Sequence, residues 1–139
     1  MLHYEIREKA ENATEWVVFI HGIGGSTRTW IKQIREFSKE YKVLLLDLPG
    51  HGGSQEDEDI TTNGVNNSIK EVLDFVGIEK ANFIGLSLGT LVIANFAVQY
   101  PEYVNAIVLG GATIQLKGFG KFVLSFVNRI KAAFPNDSL

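Results

Sequence analysis

The chain has 139 residues, 45% of them hydrophobic and 21% charged, which is enough for one domain with a real core and too apolar for a disordered or fibrous chain. Thirteen Lys and Arg against sixteen Asp and Glu give a net charge of -3 without a long basic block, so a nucleic-acid partner is not expected. The absence of cysteine excludes disulfides, thiolate metal sites and a cysteine nucleophile and fits a reducing compartment; residues 1–9 are too polar for a signal peptide, and no apolar run reaches the roughly 18 residues of a membrane span. A cytoplasmic protein with no membrane partner is the expectation.

In chain order, residues 2–9 alternate polar and apolar side chains and are expected to form an antiparallel edge strand. Four apolar runs follow: Trp16 to Ile20, Val43 to Leu46, Ala81 to Ile84 and Ala106 to Leu109. Each is largely apolar on both faces, the pattern of buried parallel strands. Between them, Trp30, Ile31, Ile34 and Phe37 recur at helical spacing, as do Val65, Ile69, Val72, Leu73 and Val76 before a terminating Gly77. A third helix should start after Ser87 and stop at Pro101; its few polar positions predict deep burial. Strands alternating with crossover helices imply an α/β fold with a mostly parallel sheet. Beyond Gly111, Phe119, Phe122, Val123, Phe126, Val127, Ile130 and Phe134 form an apolar stripe opposite Lys121, Asn128, Arg129 and Lys131, the pattern of a separate amphipathic helix.

The main chemical signal is Gly85-Leu86-Ser87-Leu88-Gly89, set between a strand and a buried helix. A serine nucleophile must stand clear of the sheet on a sharp strand-to-helix turn, and the flanking glycines remove side chains that would clash there. The free backbone N–H of Leu88 at the helix start is suited to hold a developing oxyanion. Two other motifs follow strands: His21-Gly22-Ile23-Gly24-Gly25 and Asp47-Leu48-Pro49-Gly50-His51-Gly52-Gly53-Ser54. All three lie at carboxyl ends of strands, where open α/β sheets bind ligands.

The order of these motifs, with Trp30 between the first two, resembles the serine-nucleophile branch of the α/β-hydrolase superfamily from residue 17 to about residue 112. The resemblance implies Ser87 as the nucleophile, the N–H groups of Ile23 and Leu88 as the oxyanion hole, and the Asp47 to Ser54 loop as a flank of the site. The Gly-Leu-Ser-Leu-Gly elbow and the Pro-Gly-His-Gly-x-Ser loop look most like small bacterial hydrolases of esters, lactones or carbon–carbon bonds beside a carbonyl. Serine at 87 argues against the relatives that use aspartate there. The implied substrate is a small ester, lactone or similar carbonyl compound, and no cofactor or metal is implied.

In this fold the acid and the histidine of the triad follow the nucleophile in sequence, whereas His3, His21 and His51 all precede Ser87. Asp137 follows it, but in a polar tail with no strand before it, so it is not read as the triad acid. Of the other motif residues, His21 is expected to brace the oxyanion loop through its ring nitrogens. Asp47 should fix its own turn, and Trp30 should lie in the core. His51 could replace the missing base, but a histidine between glycines in a turn reads better as structural. Glu56, Asp57, Glu58 and Asp59 read as a solvated face, not a cation site. The expected division is residues 1–112 as the first part of the hydrolase core and 113–139 as the start of a lid, a reading preferred to a membrane-surface helix. The chain is therefore expected to be a truncated form, inactive alone and able to self-associate through an exposed sheet edge or the C-terminal helix. The alternative is a catalytically inactive α/β-hydrolase-like module with a binding role.

Overall fold

The structure, a computed structural model, describes residues 1–54 and 59–111. The expected lid segment with its amphipathic stripe, Asp137, and Glu56, Asp57 and Glu58 of the acidic run lie outside the described residues. Five strands, β1 (Tyr4–Arg7), β2 (Trp16–Ile20), β3 (Lys42–Leu46), β4 (Ala81–Leu86) and β5 (Val104–Gly110), form one sheet in the order β1-β3-β2-β4-β5. β1 pairs antiparallel with β3, and the other pairings are parallel. The fold is the expected α/β architecture, a mostly parallel sheet flanked by helices and consistent with a partial α/β-hydrolase core.

Side chains alternate across a strand, so each apolar run supplies both faces of the sheet. On one face Val18, Ile20, Leu44, Leu46 and Phe83 pack against Ile69, Val72 and Leu73 of α2 (Thr62–Val76) and Ile93 and Phe96 of α3 (Leu88–Gln99). On the other, Val17, Phe19, Val43 and Leu45 meet Trp30, with Ile34 and Phe37 of α1 (Ile31–Phe37) packed around them. Trp30 closes a short 3-10 turn (Thr27–Trp30) before α1, its ring 4.9 Å from that of Phe19. Thr61 caps α2 by accepting the Gly64 N–H, and Gly77 ends it in the left-handed conformation at φ 88°, which L side chains rarely adopt.

One burial expectation is corrected. In α3 only Gly89, Thr90, Ile93 and Phe96 are buried, and Val98 is 84% exposed. Among the described residues the helix is covered on one face, by the sheet and α2, so an apolar composition did not translate into coverage. In β5, Ile107, Val108 and Leu109 are exposed. The strand is the sheet's edge among the described residues, and much of its apolar surface is uncovered there.

Candidate active site

The junction of β4 and α3 brings the motifs together. Ser87 has φ 53° and ψ -115° and is the one non-glycine with positive φ among the described residues. Such a conformation costs on the order of 1–3 kcal/mol and persists only where its surroundings enforce it. Here they do so through the backbone: the Ser87 N–H donates to the Gly110 carbonyl at the end of β5 (3.0 Å), and the Ser87 carbonyl accepts from the Thr90 N–H (3.0 Å) and hydroxyl (2.6 Å). The serine side chain is left exposed.

The glycines around it are required for space. A Cβ on Gly89 would collide with the Ile20 carbonyl and lie 2.9 Å from that of His21, so α3 sits directly on the carboxyl end of β2. A Cβ on Gly85 would lie 2.6 Å from Ile93 Cδ1 and 2.8 Å from Gly89 backbone atoms. A Cβ on Gly22 would lie 3.0 Å from that of Ser87, so the loop after β2 runs against the serine. That loop turns through a hydrogen bond from the Gly25 N–H to the Gly22 carbonyl, with Ile23 at its bend and Gly24 at φ 76°. Leu88 is the first residue of α3, where the helix supplies no acceptor for its N–H.

The polar side chains of the motifs hold this backbone. His21 is fully buried. Its Nε2 accepts the Leu48 N–H (3.0 Å), so its Nδ1 carries the proton and donates to the Gly22 carbonyl (2.6 Å). Burial, and secondarily the neighbouring His51, hold its pKa below the ordinary 6.5, against the Gly22 hydrogen bond and Asp47, which favour the charged form. His51 has the same tautomer: Nε2 accepts the Gly24 N–H (3.0 Å) and Nδ1 donates to the Pro49 carbonyl (3.0 Å). Neither imidazole has a ring nitrogen free to turn toward Ser87.

Buried Asp47 accepts the Thr27 N–H (2.7 Å) on one carboxylate oxygen and the Gly53 N–H (2.9 Å) on the other, tying its loop to the segment after β2. Two further contributors have no individual role assigned from the sequence. The Ser54 hydroxyl donates to the Asp47 carbonyl (2.6 Å) and accepts the His3 N–H (3.0 Å), joining the loop to the segment before β1. The His3 ring lies 3.9 Å from Asp47 and 3.7 Å from Glu5. Nothing in the local sequence around His3 signals a link across fifty residues, whereas Ser54 stood in the motif itself.

Asp59 accepts the Thr61 N–H, a local turn just before α2. Among the described residues no three His, Asp or Glu side chains gather so as to hold a metal ion, and no helix is long and apolar enough to cross a membrane. A groove of about 470 Å³ lined by Asp74, Ile78, Glu79, Glu102 and Tyr103 lies before the N-terminal ends of β4 and β5, away from Ser87.

Residues 15–138 match the family described as alpha/beta hydrolase fold. The chain is 35% identical over 96 residues to 2-succinyl-6-hydroxy-2,4-cyclohexadiene-1-carboxylate synthase of Klebsiella pneumoniae, covering 69% of this chain and 38% of that protein. It is 36% identical over 103 residues to 2-hydroxy-6-oxononadienedioate/2-hydroxy-6-oxononatrienedioate hydrolase of Comamonas testosteroni, covering 70% and 36%. Among solved structures, MGS-M2, an alpha/beta hydrolase enzyme from a Medee basin deep-sea metagenome library, superposes with a TM-score of 0.80 at 26% identity, over 95% of this chain and 48% of that one. The chain thus spans less than half the length of these relatives. With the family match covering most of its length, the chain belongs to the alpha/beta hydrolase fold family.

Proposed function

We propose that this chain carries the nucleophile and oxyanion elements of a serine hydrolase acting on a small ester, lactone or related carbonyl compound. The observation that carries the reading is the strained Ser87, exposed at a strand-to-helix junction with the Gly22 loop packed against it. In the reaction, Ser87 Oγ attacks the carbonyl carbon and its proton passes to a base. The N–H groups of Leu88 and Ile23 hold the resulting oxyanion, the leaving group departs, and water hydrolyses the acyl-serine. His21 and His51 have both ring nitrogens engaged with backbone groups, and His3 stands beside Asp47 and Glu5. An imidazole base for Ser87 would therefore have to come from outside these 139 residues.

The test is reaction with a fluorophosphonate in rising concentrations of free imidazole, which can serve as the base, with the adduct located by mass spectrometry. Labelling at Ser87 that rises with imidazole and vanishes in Ser87→Ala supports the reading; labelling that ignores Ser87→Ala overturns it. A second reading, an inactive module that associates through its sheet, is favoured by the exposed Ile107, Val108 and Leu109 of β5. It requires dimers by light scattering that Val108→Lys disperses.

A further inference from the structure

The two motif histidines lie with ring centroids 5.0 Å apart, one from the loop after β2 and one from the loop after β3. Each does the same thing in the opposite direction. His21 reaches out of the first loop to accept a backbone N–H of the second, at Leu48; His51 reaches out of the second to accept a backbone N–H of the first, at Gly24. Each uses its remaining nitrogen to grip a carbonyl of its own loop, Gly22 for His21 and Pro49 for His51. Gly24 directly follows Ile23, so the His51 bond fixes the peptide next to a proposed oxyanion donor.

We propose that His51 is a positioning residue for the oxyanion loop, acting with His21 as a reciprocal two-imidazole clamp that holds only while both rings are neutral. This rests on the hydrolase reading above and adds a control of that same site. The control follows from the acceptor role of Nε2. An imidazolium has a proton on both nitrogens and accepts from neither, so protonating His51 replaces the Gly24 hydrogen bond with two donors facing each other. Protonating His21 does the same at Leu48. The titratable groups that face the pair among the described residues are each other's rings and Asp47, with His3 and then Glu5 beyond Asp47. A second positive charge 5.0 Å from the first is opposed by the pair itself, and Asp47, already holding two N–H groups, is the one carboxylate among these close to both loops.

The decisive experiment reads the clamp directly. Long-range proton–nitrogen NMR on the chain should show the Nδ1–H tautomer for both rings near neutral pH. The Gly24 amide proton should shift upfield as acidification protonates the ring that accepts it. In His51→Ala it should sit at the acid position throughout. In His51→Gln, whose Oε1 can accept where Nε2 did and cannot be protonated, it should stay at the neutral position. Ser87 phosphonylation, measured with imidazole present, should slow about tenfold in His51→Ala, less than the roughly 10²–10³-fold for removing an oxyanion donor outright, and recover in His51→Gln. An Nε2–H tautomer at His51, or a Gly24 resonance indifferent to pH and to residue 51, overturns the clamp, and the pH titration of the unmodified chain gives this result even if His51→Ala does not fold. Failure of the hydrolase reading looks different: Ser87 is then unlabelled in every form while the Gly24 resonance still follows residue 51.

Discussion

Replacing Ser87 by glycine should make the fold more stable, and the size of the gain can be worked from the backbone. At φ 53° and ψ -115° a residue with a Cβ is strained by on the order of 1–3 kcal/mol, which glycine largely escapes. Against this, glycine gives the unfolded chain extra freedom that disfavours folding by roughly 0.5–1 kcal/mol. The net expectation is a gain of about 1 kcal/mol. Ser87→Ala is the control, because it removes the hydroxyl and keeps the Cβ, and an exposed position of that kind changes stability by no more than about 0.5 kcal/mol. In urea denaturation followed by circular dichroism, with a slope near 1.5 kcal/mol per molar, the glycine variant should melt about 0.7 M later than the alanine variant. A midpoint for Ser87→Gly at or below that of Ser87→Ala would refute the claim that strain is stored at this turn. Both variants should lose phosphonate labelling, so stability and the proposed function would move in opposite directions at one residue.

Gly89→Ala places a methyl group against the Ile20 and His21 carbonyls, and the backbone must move to admit it; urea midpoints should report a loss of about 1–3 kcal/mol, and an unchanged midpoint would mean α3 does not sit on β2 as described. Asp47→Asn keeps the shape but turns an NH2 group toward either the Thr27 or the Gly53 N–H, so one buried donor loses its acceptor at a cost of about 1–3 kcal/mol, measured the same way at neutral pH. For His21 the folded pKa lies below the ordinary 6.5, so as pH falls through 6.5 the unfolded chain takes up a proton that the folded chain refuses. Its effect is thus nil well above 6.5 and destabilising below it, with a slope of up to about 1.4 kcal/mol per pH unit until the folded value is reached; a stability profile that is flat between about pH 7 and 5 would contradict this.

Strands and helices were legible because their signals are local. Val43 to Leu46 can be little other than a buried strand, and Val65, Ile69, Val72 and Leu73 before Gly77 mark both the face and the end of α2. The strand-to-helix turn at Ser87 was legible for the same reason, since strand, turn and helix are contiguous across residues 81–99. What the sequence concealed is long-range. The few polar positions of α3 read as core, yet burial depends on what covers a helix, and Val98 stays exposed. The His51 bond to Gly24 spans 27 residues and the Ser54 bond to His3 spans 51, distances over which no periodicity or motif carries information. The reciprocal arrangement of the two histidines is likewise invisible in sequence, where each is only a ring beside a glycine.

These contacts share a logic that bears on the chemistry. His21, Asp47, His51 and Ser54 each terminate on backbone N–H or C=O groups, and through them the loops after β2 and β3 form one hydrogen-bonded unit. Backbone donors stabilise charge without changing their own charge, so a site built from them can polarise a carbonyl but cannot accept a proton. The titratable groups nearest that unit hold it in place only in one protonation state: Asp47 must be ionised to accept two N–H groups, and each imidazole must be neutral to accept one. Recruiting His21 or His51 as the base for Ser87 would release the Leu48 or Gly24 N–H from its acceptor and loosen the loop that carries the proposed Ile23 donor. Proton transfer and oxyanion binding are therefore better served by separate groups in this architecture, so under the proposed function the base for Ser87 is a residue other than these two histidines, on geometric grounds independent of their place in the sequence.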